Sequence, residues 1–175
     1  LRQGSNVFVS EDGQFDSEHY IPAYVRRYPF VSAANPNDQP STVCVDLDAE
    51  FVVTENAERP FFDDKGEPTE YTRQAIDFVS AFENDARTTE AFVERLIALD
   101  LLEQKDVKVA NPQDPENPVT VAEYWGVSSE KFDVLPADKL KEMQTNGDLG
   151  AIISHIISLQ RWERILRRTS NVATA

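Results

Sequence analysis

The period of the hydrophobic pattern changes near residue 70. Before that point apolar and polar residues alternate in short runs, and after it apolar residues recur every three to four positions. Residues 6–10, Asn-Val-Phe-Val-Ser, alternate and lead into Glu11-Asp12-Gly13, with Gly13 where a tight turn needs positive φ and Phe15 on the return, so a β-hairpin is predicted. In His19 to Phe30, HYIPAYVRRYPF, Pro22 suits the first turn of a short helix. Pro29 should end that helix, because the residue before a proline is pushed out of the α region. Residues 34–41, ANPNDQPS, read as a loop. TVCVDLDAEFVVT, residues 42–54, is the strongest β segment, either two strands or one bent strand. The charged stretch 55–68 reads as surface loop with a tight turn at Asp63-Asp64-Lys65-Gly66.

Tyr71, Ala75, Phe78, Val79 and Phe82 then fall on one face of an amphipathic helix over 70–84. After Asp85-Ala86-Arg87, Thr88 or Thr89 is placed to cap a second helix over 89–103, with Phe92, Leu96, Leu99 and Leu102 on its buried side, which makes an α-hairpin. Residues 106–110 and 118–122 read as strands joined by NPQDPEN, a hairpin with a long, mobile tip. Pro136 opens a short helix through Met143, closed by Asn146-Gly147. A last helix, 148–168, carries Leu149, Ile152, Ile156, Leu159 and Leu166 on one stripe, widened by Trp162 and Ile165. The prediction is an α+β fold in a single domain, 1–175: a small, mostly antiparallel sheet with hairpins packed against an α-hairpin and a long C-terminal helix.

Composition narrows the function classes. With 31 Asp and Glu against 17 Lys and Arg, the formal net charge is −14, which sets the chain against nucleic acid and anionic membranes. The arginines near the C-terminus (Arg161, Arg164, Arg167, Arg168) sit where a helix macrodipole favours cations, so they call for no ligand. The longest mostly apolar stretch, 149–159, falls short of the roughly 20 residues of a transmembrane span. The first residues hold neither an initiator Met nor an apolar leader, so residue 1 is expected to be a truncation. Cys44 stands alone, which excludes an intrachain disulfide and Cys-rich zinc motifs and is compatible with a reducing compartment. A cytoplasmic location is expected, with the periplasm or cell surface left open.

Two clusters carry candidate chemistry. Asp46, Asp48 and Glu50, at i, i+2 and i+4 of a strand, would project from one face and attract a hard cation such as Mg²⁺, Mn²⁺ or Ca²⁺; a strand solvated on one face reads the same way. His19, Tyr24, Arg26, Arg27 and Tyr28 form the other. Guanidinium groups beside aromatic rings suit an anion, although on so acidic a chain the simpler expectation is that both arginines pair with internal carboxylates. His155, between apolar neighbours, reads as a structural histidine, and Cys44 as a small buried hydrophobe. No G-x-S-x-G, P-loop or dinucleotide fingerprint occurs, so there is no positive catalytic motif and no cofactor is indicated.

The motifs LRQGSNVFVSEDGQF, HYIPAYVRRYPF, VCVDLDAEF, FFDDKGEPTEYTRQAIDF, LDLLE and ISLQRWERILRR, in that order, make the chain resemble the SapC family of bacterial proteins over nearly its whole length. The resemblance implies a longer full-length protein, with several tens of residues before Leu1. It also implies an association with paracrystalline surface layers, and with genes beside outer-membrane receptors and flavin-dependent halogenase-like genes in Gram-negative bacteria. No catalytic mechanism comes with it, and the like-named permease of a peptide transporter is a different, membrane-spanning protein. The leading expectation is a non-catalytic binding or accessory protein that takes a protein partner, a peptide or a small anionic ligand through Arg26, Arg27, Tyr24, Tyr28 and His19. The alternative is a metal-dependent enzyme with Asp46, Asp48 and Glu50 as ligands and His19 as acid/base. Self-association into a surface assembly is a third reading, and the oligomeric state is left open.

Overall fold

The computed structural model describes residues 6–33, 41–110, 114 and 116–171. The fold is α+β, and the chain divides into two compact units: residues 19–91, and residues 1–18 together with 92–175.

In the 19–91 unit, helix α1 (Ala23–Arg26) starts after Pro22 and ends ahead of Pro29, as the two prolines require. Strand β1 (Phe30–Ala33) pairs antiparallel with β2 (Thr42–Val45), from Phe30 opposite Val45 to Ala33 opposite Thr42. The expected loop at 34–41 falls almost wholly outside the described residues. The long β segment expected over 42–54 stops at Val45. There the Asp46 carboxylate accepts the Asp48 N–H at 3.0 Å, and the Val52 N–H turns back to the Ala49 carbonyl. An aspartate that bonds the backbone two residues on substitutes a turn for the sheet ladder. The turn at 63–66 forms as predicted: Asp63 Oδ1 accepts from Lys65 and Glu67, and Gly66 takes φ +79.

Helix α2 (Glu70–Ala98) is continuous, which corrects the predicted α-hairpin. Thr88 and Thr89 do not cap a second helix. Their hydroxyls donate back to the carbonyls of Asn84 and Asp85 at 3.0 and 2.8 Å, satisfying themselves within an unbroken helix. In the 19–91 unit, α2 presents Tyr71 to the buried Phe30 and to Phe61, the three rings meeting at centroid distances of 5.4–6.3 Å, and Val79 of the same helix is also buried.

In the other unit, the predicted N-terminal hairpin is reduced to one bridge, Val9 to Phe15, around Gly13 at φ +82. Strands β3 (Leu102–Val109) and β4 (Val119–Val127) form an antiparallel pair with an irregularity between Val107 and Lys108. Leu102, expected on a helix, begins the first of them. Most of the hairpin tip expected to be mobile lies outside the described residues. Short helix α3 (Ser129–Asp133) leads to α4 (Ala137–Asn146) and α5 (Asp148–Leu159). A single residue, Gly147 at φ +90, ends α4 and begins α5, a conformation that favours glycine. The expected long last helix is interrupted at Gln160-Arg161, where i→i+3 bonds to Ile157 and Ser158 tighten the turn, and α6 (Trp162–Asn171) follows. Leu96, Leu101, Val127, Met143 and Ile152 make the core, with Phe92, Leu99, Phe132 and Ile156 packed around it. Arg95 clamps this unit by donating twice to the buried Asp148 carboxylate, at 2.7 Å each. Among the described residues no helix is long and apolar enough to cross a membrane.

Candidate functional site

The aromatic and arginine residues flagged in the sequence sit on α1 and the turn after it. Tyr24, Arg27 and Tyr28 line one shallow cleft of about 290 Å³ together with Val25, Phe30 and Val31, whereas Arg26 and His19 are not part of its lining. His19 is half-buried ahead of α1. The two arginines point to different surroundings, as neighbours on a helix do. The Arg26 guanidinium donates to the Tyr20 hydroxyl at 2.5 Å and stacks on the rings of Tyr20 and Phe78, with centroids 4.8 and 5.0 Å away. Arg27 is held between Tyr24 and Phe82, both at 4.6 Å, with Glu83 3.6 Å from its guanidinium and only 15% of its side chain exposed. Arg27 therefore pairs internally. Among the described residues Arg26 has no carboxylate partner, so of these two arginines it is Arg26 whose charge is available to a ligand. The helical stripe of Phe78 and Phe82 thus has a second use as the floor on which both arginines lie.

Tyr28 joins the two candidate clusters. Its hydroxyl donates to Asp46 at 2.9 Å, and its ring meets Phe51 edge-on at 5.5 Å. The Asp46 carboxylate, which accepts this bond, pushes the Tyr28 hydroxyl above the usual phenol range; Asp48 and Glu50 add smaller repulsion in the same direction. The three carboxylates do not share a strand face, because the strand has ended and Asp46 is engaged with Tyr28 and the Asp48 N–H. Among the described residues no group of three His, Cys, Asp or Glu side chains is placed to hold a metal ion. Cys44 lies within β2, half-buried. His155 serves structure: its Nε2 accepts the Val127 backbone N–H at 3.1 Å and ties α5 to β4.

Sequence reasoning missed a second recess in the same unit, about 220 Å³, between Pro29, Phe51, Val52, Phe61, Tyr71 and Arg59. Residues 55–68 read as plain surface loop, yet the loop folds over Tyr71 so that Arg59 lies 5.7 Å from that ring. The usable signal was the run Arg59-Pro60-Phe61-Phe62, too apolar for a solvated loop.

Taken together, the molecule is an acidic α+β protein with an aromatic face that holds arginines, and without a recognisable catalytic constellation among its described residues. The chain belongs to the SapC family, whose model matches residues 1–165. No curated protein and no solved structure is significantly similar to it.

Proposed function

We propose that this chain is a non-catalytic binding or accessory protein that works with bacterial envelope, surface-layer or outer-membrane uptake machinery and takes a peptide or small anionic ligand on its α1 face. The observation that carries the reading is the exposure of Tyr20, Tyr24 and Tyr28, at 69, 66 and 45%, on and beside α1, with the Arg26 guanidinium stacked on Tyr20. Val25, at 57%, and Phe51, at 63%, extend the same apolar ground. Rings that bury large areas at small entropic cost, beside a cation without a carboxylate partner, are what peptide-binding surfaces use. The net charge of −14 repels anions at a distance, so a ligand on this face has to gain most of its affinity from ring contact.

The test is capture from an immobilised peptide array by the wild-type chain and by the Arg26→Ala and Tyr24→Ala variants, with thermal unfolding recorded for each. Arg26→Ala should abolish capture at an unchanged melting temperature. Arg27→Ala should lower that temperature instead, because it empties a stacked and ion-paired position. Identical capture by wild type and Arg26→Ala would remove the α1 face from consideration.

A further inference from the structure

We propose that the recess between Phe51, Phe61 and Tyr71 is a separate small-molecule site, for a ligand that joins a carboxylate to an aromatic or branched apolar body. The shape and the walls point one way. Pro29, Phe51, Val52, Phe61 and Tyr71 supply the apolar part of an open recess of about 220 Å³, whose lining mixes polar and apolar groups and which has room for about seven waters by liquid volume and so for a body of single-ring size. Phe61 and Tyr71 lie nearly parallel, 10° apart with centroids at 6.3 Å, and such ring surfaces favour a flat or branched apolar guest.

The charge at the rim is the second, independent observation. In a chain with 31 acidic and 17 basic residues, Arg27, Arg73, Arg95, Arg167 and Arg168 each have a carboxylate partner. Arg59 has none among the described residues, a state it shares with Arg26, Arg87, Arg161 and Arg164, and of these it is the one at the rim of the recess. Its guanidinium instead lies 5.7 Å from the centre of the Tyr71 ring, at the edge of the recess. A guanidinium at that rim can contact a carboxylate bidentately, the geometry at which arginine exceeds lysine. Glu58 lines the same recess and supplies a counter-charge for a ligand amine. The shared chemistry, ring plus carboxylate, therefore has two sources: a plain carboxylic acid or a free amino acid.

The site shares Phe51 with the α1 face but neither Arg26 nor Tyr24, so Arg59→Met and Arg26→Ala test the two readings separately. The probes are 3-phenylpropionate and L-phenylalanine, titrated into the isotope-labelled chain and followed by backbone amide shifts. The expected result is saturable shifts at Phe51, Phe61 and Tyr71 with at least one probe. Arg59→Met should weaken that binding by about ten-fold or more, the loss expected for a charge-assisted hydrogen bond. Arg59 is exposed, so the variant keeps its fold, which its unshifted amides elsewhere verify. Preference for L-phenylalanine, lost on Glu58→Gln, identifies an amino-acid site, and preference for 3-phenylpropionate identifies a carboxylic-acid site. Absence of saturable shifts with both probes, or Arg59→Met binding as wild type does, overturns the proposal.

Discussion

Replacing Ile152 by alanine tests whether the small core of the second unit holds it together. Ile152 is fully buried and packs in one cluster with Leu96, Leu101, Val127 and Met143, side chains contributed by α2, the α2–β3 junction, β4 and α4. Alanine removes three carbons, which at about 0.8 kcal/mol each is about 2.4 kcal/mol of lost transfer energy. Incomplete collapse of the surrounding side chains raises the cost to about 3–4 kcal/mol. A domain of this size holds about 5–15 kcal/mol in total, so the variant should unfold at much lower denaturant. The control is Ile157→Ala on the same helix, where a side chain already 54% exposed should cost under about 1 kcal/mol. Both tryptophans, Trp125 and Trp162, lie in this unit, so intrinsic fluorescence during a urea titration reports it selectively. If the two variants lose similar stability, or Ile152→Ala loses less than about 1 kcal/mol, the core is not where it is described here.

Two further outcomes follow from the same unit. The Arg95 guanidinium beside Asp148 holds that carboxyl below the usual aspartate range, with Asn146 adding to the effect. A depressed carboxyl contributes stability that is present above the ordinary aspartate pKa of about 3.9 and is lost as pH falls through the folded-state value. Acid unfolding should therefore be shallower in Asp148→Asn, which starts from a lower plateau at neutral pH; parallel curves would refute the linkage. Gly147→Ala should cost about 1 kcal/mol, since no atom lies within 4 Å of the new Cβ and the φ of +90 is the only obstacle. A thermal melt shifted by several degrees would agree, and an unshifted one would not.

How much was legible in the sequence depended on which signal was local. The α+β class, the Pro22 and Pro29 limits of α1, the Gly66 turn and the Asn146-Gly147 stop were readable, because proline and glycine act through their own backbone. The break assigned at Thr88-Thr89 and the strand carried past Asp46 failed for a common reason. Short polar side chains bond either forward or back along the backbone, and the choice depends on what the neighbouring turn leaves unsatisfied. The candidate residues Tyr24, Arg27 and Tyr28 were found together, since they are close in the chain. That Arg27 is spent on Glu83 while Arg26 is not could not be read, because it depends on which side of α1 meets the Phe78–Phe82 stripe. The Arg59 recess depends on a loop folding over Tyr71 and leaves only the weak trace of an apolar loop.

The single-residue joint at Gly147 also bears on where the chain tolerates changes in length. An α-helix turns about 100° per residue, so one inserted residue within α5 ahead of Ile152 would rotate everything after it by more than a quarter turn and swing His155 away from the Val127 amide. With no loop between α4 and α5, slack to absorb such an insertion is missing on that side. Insertions, tags and cleavage sites belong instead at exposed turns such as the one around Gly66, and related chains of different length should carry their gaps there, with the spacing from Met143 to His155 held constant.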